Sequence, residues 1–282
     1  MMTAAKTAHS ARGQLRNLGA YVGLGVGAII VVAPFVWTVY ASFVKSDLDV
    51  NSLNLVLGRY GLTHYSELLT GSLIGRWWLN SLLVTALIVA GNLVFNTAAG
   101  YALARLSFPG RGALFGLVLA TMMIPSQVLF VPIYTMVVSL GWLNSYAGLI
   151  VPFLINPFGV FLMRQHFIGF PQELDDAGRI DGLGSLGVFR HVALPNAVAW
   201  IAAQAIFIFV WNWNTFVFPS VLVTRPEMFT LPVCIYQLTH TAFTNHVALS
   251  MAGVVLTTVP SLLIFALLQR RFVHALTGAI KG

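Results

Sequence analysis

The chain has 282 residues, of which 58% are hydrophobic and 8% charged, with a mean hydropathy of +0.84. Soluble proteins carry about 25% charged residues, so this composition excludes a water-soluble enzyme or a disordered chain and calls for a bilayer. The net charge of +7 comes from 15 Lys and Arg residues spread along the chain without a cluster, which excludes a nucleic-acid partner, and the lone Cys234 excludes an internal disulfide or a cysteine-based metal centre.

A spanning helix needs about 20 mostly apolar residues and tolerates charge poorly at its centre, so the uncharged intervals between Lys and Arg mark the spans. The first predicted span, Leu18–Phe43, is longer than the roughly 7–15 residue apolar core of a signal peptide and reads as a retained anchor. The second lies between Arg76 and Arg105. The interval from Arg111 to Arg164 holds two helices, Gly112–Val138 and Tyr146–Met163, divided by a turn at Gly141-Trp142-Leu143-Asn144-Ser145. A fifth span falls between Arg190 and Arg225, and a sixth at Ala248–Leu268 follows the polar run Thr239–His246, read as a loop. Pro34, Pro125, Pro132, Pro152 and Pro157 sit inside spans, as kinks whose freed carbonyls need other partners.

The predicted fold is therefore all-α: a polytopic membrane protein with six transmembrane helices and both termini on one side. With the N and C termini cytoplasmic, Lys45, Arg59, Arg76 and Arg225 lie outside and eleven of the 15 basic residues inside, as the positive-inside rule requires.

The inside loop from about Arg164 to Asn196 carries four of the eight acidic residues: Glu173, Asp175, Asp176 and Asp181. Pro171 followed by acids reads as a helix start, with negative charge at the positive end of the dipole. A short amphipathic helix, a glycine turn and a second short helix are expected, with Leu194-Pro195 starting the next helix. By spacing alone this is either a solvated loop or a docking device for a partner protein.

Residues Pro171-Gln172-Glu173-Leu174-Asp175-Asp176-Ala177-Gly178-Arg179-Ile180-Asp181-Gly182, followed after nine residues by Val192-Ala193-Leu194-Pro195, resemble the EAA loop of binding-protein-dependent ABC importer permeases. Asp176 stands for the Glu of that pattern, Ala177 for the first Ala, Gly178 for the second and Val192 for the Ile. Gly182, Leu194 and Pro195 match it unchanged. Gly178 departs from the pattern and is expected to loosen the first short helix, because Gly costs about 1 kcal/mol relative to Ala in a helix. Two further stretches resemble the carbohydrate-uptake, maltose-transporter type of short permease: Trp213-Asn214-Thr215-Phe216-Val217-Phe218-Pro219, with Thr215 in place of the usual Asp, and the tail ending Gly278-Ala279-Ile280-Lys281-Gly282. Tyr101-Ala102-Leu103-Ala104-Arg105-Leu106-Ser107-Phe108-Pro109-Gly110 resembles the family's inside turn after the second span.

The resemblance implies a type I ABC importer permease. Residues 1–78 would hold the N-terminal segment, the first span and an external segment. Residues 79–272 would form the permease core, and residues 273–282 a cytoplasmic tail. It implies as partners a second permease subunit, usually a different chain, an ABC ATPase dimer, and an extracytoplasmic substrate-binding protein. By resemblance, Glu173, Asp175, Asp176, Ala177, Gly178, Asp181, Gly182, Leu194 and Pro195 couple to the ATPase, with Asp176 near its surface and Gly182 making the turn. ATP and Mg would belong to the ATPase, and this chain would bind no cofactor and hold no catalytic residue. The chain's only lysines, Lys6, Lys45 and Lys281, lack the Gly-x4-Gly-Lys pattern of a nucleotide-binding P-loop.

A sugar path needs uncharged hydrogen-bonding groups and aromatic faces. Asn156, Asn212, Trp213 and Asn214 are candidates for it, with interhelical packing as the other reading, whereas Asn92 and Asn96 read as glue between helices. His64, His240 and His246 have no metal-ligand spacing. A secondary carrier would place ionisable groups within spans, and an intramembrane enzyme would need a catalytic set at one depth; neither pattern occurs. Transport of a glycerophosphodiester or polyol by the same architecture stays open beside a sugar.

Overall fold

A computed structural model describes residues 2–45, 60–70, 73–241 and 244–280; Arg59, Ala242, Phe243, Lys281 and Gly282, used in the sequence reading, lie outside them. Apart from a two-residue strand pair, the described regular structure is helical. Four helical stretches are long and apolar enough to cross a membrane: Gly19–Ser42, Ile74–Arg105, Tyr146–Gly169 and Val247–Leu267. A fifth candidate is a bent pair, Ser185–Asn196 with Val198–Trp213, whose halves meet at 74°.

The contacts divide the chain into two bodies, residues 1–68 with 239–255 and residues 69–238 with 256–282. In the first, helix α1 (Met2–Ser42) leaves Tyr21, Leu24, Ile29, Ile30 and Phe35 exposed, an apolar surface suited to lipid. Pro34 interrupts its ladder without ending it, and the Pro34 carbonyl accepts from Thr38 Oγ1 at 2.8 Å. The segment after residue 60, including helix α2 (Thr63–Thr70), is pinned to the end of α1. Gly61 N donates to Phe43 O at 2.8 Å, Ser42 Oγ meets Tyr65 OH at 2.7 Å, and Ala41, Val44 and Ala248 form the local core. The run read as a loop carries strands β1 (His240–Thr241) and β2 (Thr244–Asn245), paired antiparallel.

The second body is organised on helix α3 (Ile74–Arg105), which packs along α7 (Pro157–Gly169) and α11 (Val198–Trp213). Close approach explains the small residues at the crossing. A Cβ on Gly100 would stand 2.8 Å from the backbone nitrogen of Arg164, and one on Gly159 would collide with the Asn96 side chain.

The span expected at Gly112–Val138 is instead two short helices, α4 (Arg111–Met122) and α5 (Phe130–Ser139). Pro125 lacks the N–H a helix would need and drives Ile124 out of the helical region; the chain between runs through tight turns such as Val128 N to Pro125 O at 3.0 Å. The stretch expected at Tyr146–Met163 is likewise divided into α6 (Tyr146–Ile150), a 3-10 turn at Val151–Phe153 and α7, which extends to Gly169. Pro157 takes the first position of α7, and Asn156 caps it by accepting from Gly159 N at 3.1 Å.

Asn92 and Asn96 bind the backbone freed by this break. Asn92 Nδ2 donates to Phe153 O at 2.7 Å, and Asn96 Oδ1 accepts from Asn156 N at 3.0 Å. Asn96 Nδ2 donates to Asn92 Oδ1, and Gln204 Nε2 of α11 donates to Asn92 O. This is the interhelical role expected of the two asparagines.

Leu194-Pro195 starts a helix as expected, but one of only three residues. The chain passes through α9 (Ser185–Val188), a π turn at Phe189–Ala193 and the short α10 (Leu194–Asn196), and α11 starts only after Ala197. Pro195 cannot donate to the carbonyl four residues back and its ring crowds that carbonyl, so the preceding turn widens and the axis bends. The last helix, α14 (Val247–Ile280), starts as predicted to within a residue and runs beyond Leu268.

Candidate functional site

Helix α8 (Gln172–Ile180) begins after Pro171, with Glu173 and Asp175 in its first turn and Arg179 in its last, the charge order its dipole favours. Its end is a Schellman turn. Leu183 N donates to Gly178 O and Gly182 N to Arg179 O, both at 3.0 Å, with Gly182 in the left-handed region at φ 84°. A side chain at Gly182 would meet open space, so the requirement for glycine lies in the backbone.

Two residues of α8, Asp175 and Gly178, are buried. Gly178 lies against the following segment: a Cβ there would stand 3.2 Å from Val192 Cγ2 and 3.4 Å from Val188 Cγ2. The residue expected only to loosen the helix is thus also its closest approach to the second half of the loop. Asp175 Oδ2 lies 3.5 Å from Arg105 Nε at the last residue of α3, and Arg105 also donates to Phe170 O and lies over the Phe170 ring. Tyr101 meets Phe167 edge-on and Phe189 at 4.9 Å, and with Met163, Ala193 and Ala197 it seats the loop on the ends of α3 and α7.

Glu173, Asp176, Ala177, Asp181, Gly182 and Pro195 are exposed, and Leu194 is half-buried. Asp176 pairs with Arg179 at 3.8 Å, with both side chains about half exposed, so this pair contributes little stability. Ile180 and Leu186 are 86% and 78% exposed, with Leu174 less so. The loop therefore combines a buried face fixed to the bundle with an uncovered, partly apolar outer face. Arg105 was singled out in the sequence only as a span boundary and part of a turn, because its partner lies far along the chain.

A cavity of about 280 Å³ opens between α3, α6, α7, α11 and α12 (Val217–Leu222). Ser81, Thr85, Ser126, Asn156, Asn212, Thr215 and Thr230 supply its polar lining, beside Phe153, Trp211, Trp213 and Phe218, and none of its lining residues is charged. Asn156, Asn212 and Trp213 are thus brought together. Asn214 faces a separate apolar groove with Ala203, Phe207 and Val210. Trp213 is nearly inaccessible; its Nε1 donates to Thr257 O at 2.8 Å and its ring stacks on Phe209 and meets Trp78 edge-on. Trp211, 62% exposed and stacked on Phe207, is the more accessible tryptophan of this wall.

At the opposite end of α3 from Arg105, a neutral network fixes the loop before α13 (Leu231–Thr239). Asn80 Nδ2 donates to Glu227 O and Phe229 O, Trp77 Nε1 donates to Pro226 O, and Tyr146 OH donates to Asn80 Oδ1. Asn144, at φ 55°, accepts from Thr224 N and Arg225 N within the turn predicted at Gly141–Ser145. Burial of Cys234 in α13 pushes its thiol well above the ordinary range, so it is unreactive. Among the described residues, no group of three His, Cys, Asp or Glu could hold a metal ion.

Residues 96–278 match the family model described as binding-protein-dependent transport system inner membrane component. The arabinooligosaccharides transport system permease protein AraQ of Halalkalibacterium halodurans is 36% identical over 93% of this chain and 95% of its own length. The galactooligosaccharides transport system permease protein GanQ of Bacillus subtilis is 31% identical over 96% and 98%. The sn-glycerol-3-phosphate transport system permease protein UgpE of Rhizobium meliloti is 30% identical over 95% and 98%. The crystal structure of a bacterial ABC transporter involved in the import of the acidic polysaccharide alginate shares the fold, with a TM-score of 0.81 at 20% identity over 92% of this chain and 97% of that one. The chain belongs to the binding-protein-dependent transport system inner membrane component family, the multi-pass membrane permeases of ABC transporters.

Proposed function

We propose that this chain is one permease subunit of an ATP-driven importer for a neutral sugar or oligosaccharide, with residues 79–272 as its core. The chain crosses the membrane six times, α4 and α5 together forming the broken third span, and both termini are cytoplasmic. A second permease completes the pathway, two ATPase subunits supplied with ATP and Mg sit beneath, and an extracytoplasmic binding protein delivers the solute.

The observation that carries the coupling role is the split character of the loop: Asp175 of α8 is buried against the bundle, while Ile180 at the end of α8 and Leu186 of α9 stand uncovered. An ATPase groove would bury those apolar side chains, and closure of the ATPase dimer would then tilt the spans as a body. The uncharged cavity wall supports a neutral solute. A phosphate ester there would lose water without gaining a cation, even though the relative UgpE belongs to an sn-glycerol-3-phosphate system.

The test is Gly182→Asp. An added Cβ at φ 84° strains the turn, less for Asp than for most residues, and its charge meets the docking surface. Uptake is lost while membrane insertion persists; uptake at the unaltered level removes the coupling role.

A further inference from the structure

We infer that Arg105 and Asp175 form the joint through which movement of α8 reaches the long helix α3. They are positioning residues, and the inference rests on the coupling role proposed for α8.

Asp175 is 3% exposed and points back into the bundle, so it cannot touch a docked protein. Gly178, the other buried residue of α8, packs on Val188 and Val192 of the same loop. Among the ion pairs of the described residues, Arg105 with Asp175 is the one that joins α8 to a membrane-crossing helix. Each charge sits at the end of its own helix that its dipole favours, Arg105 in the last turn of α3 and Asp175 in the first turn of α8.

The geometry suits a joint that turns. At 3.5 Å the contact is longer than a good hydrogen bond, and both Arg105 Nε and Asp175 Oδ1 lack hydrogen-bond partners. Coulomb attraction varies slowly with distance and hardly with angle, so the pair resists separation while allowing α8 to rotate. A buried pair adds little net stability over apolar packing, whereas removing one charge leaves the other stranded. Linkage, rather than stability, accounts for charges at this position.

The test uses the full chain, co-expressed with its ATPase and second permease and reconstituted in lipid, with Mg-ATP plus vanadate as the probe. Nitroxide labels go on two exposed positions, Gln172 at the start of α8 and Leu79 near the far end of α3. In the parent chain the label separation keeps one narrow distribution with and without trapping. Asp175→Asn and Arg105→Gln each broaden it on trapping, by about twofold, while the ATPase still co-purifies and hydrolyses ATP; combining them broadens it no further. Arg105→Lys keeps the charge and keeps the distribution narrow. Narrow distributions in the single variants, multiplicative broadening in the double, or loss of the ATPase from either single variant would overturn the joint. A parent chain that never retains an ATPase refutes the coupling role itself.

Discussion

The two ends of α3 are held by different chemistry. At the Asn80 end, neutral side chains donate to backbone carbonyls of a distant loop, and each of those bonds has a preferred direction. At the Arg105 end, one arginine donates to Phe170 O just before the short helix and also pairs with Asp175 of that helix without close hydrogen-bond geometry. Directional bonds between neutral groups fix an angle, whereas opposite charges fix mainly a separation. On the proposed coupling, the Asn80 end stays fixed and the Arg105 end is where α8 moves.

The contrast can be broken or sharpened by substitution, from the largest effect to the smallest. Gly100→Leu should do most damage, because its side chain meets the Arg164 backbone, which cannot step aside. A loss of about 3 kcal/mol or more is expected, read as little folded protein recovered in detergent. Asn80→Ala strands the Glu227 and Phe229 carbonyls and should cost about 2 kcal/mol, seen as a lower Tm with the uptake of surviving protein unchanged. Trp211→Ala removes the exposed ring from the cavity wall and should raise KM for sugar uptake about tenfold with Tm unchanged. Gly178→Ala should change least. Helix propensity favours Ala by about 1 kcal/mol, and the 3.2 Å approach to Val192 offsets that gain. Its Tm should stay within about 2 °C of the parent.

The loop from Arg164 to Asn196 was the most legible part of the chain. Pro171, the acidic first turn and Gly182 specify a helix start and stop by local rules alone, and α8 with its Schellman turn follows them. The turn at Gly141–Ser145 and the role of Asn92 and Asn96 were equally accessible, because glycine, asparagine and buried amides have few uses inside an apolar bundle. Pro125 and Pro157 were visible as kinks. Whether a proline bends a helix or breaks it depends on which neighbours bind the freed carbonyls, and the Asn92 to Phe153 bond spans 61 residues. The same distance hid the partner of Arg105. Trp211 and Trp213 are two residues apart and chemically alike; packing against Phe209 and Trp78 buries one and leaves the other open, which no local pattern records.

The central claim, that this chain works as the permease of an ATP-driven importer, is tested most directly by purifying it through a tag after co-expression with its neighbouring genes. ATP hydrolysis is then measured in lipid with and without sugar-loaded binding protein. The account predicts that an ATPase and a second permease co-purify, and that hydrolysis rises with one loaded binding protein. A chain that purifies alone, retains no ATPase and still moves solute across vesicles would contradict it.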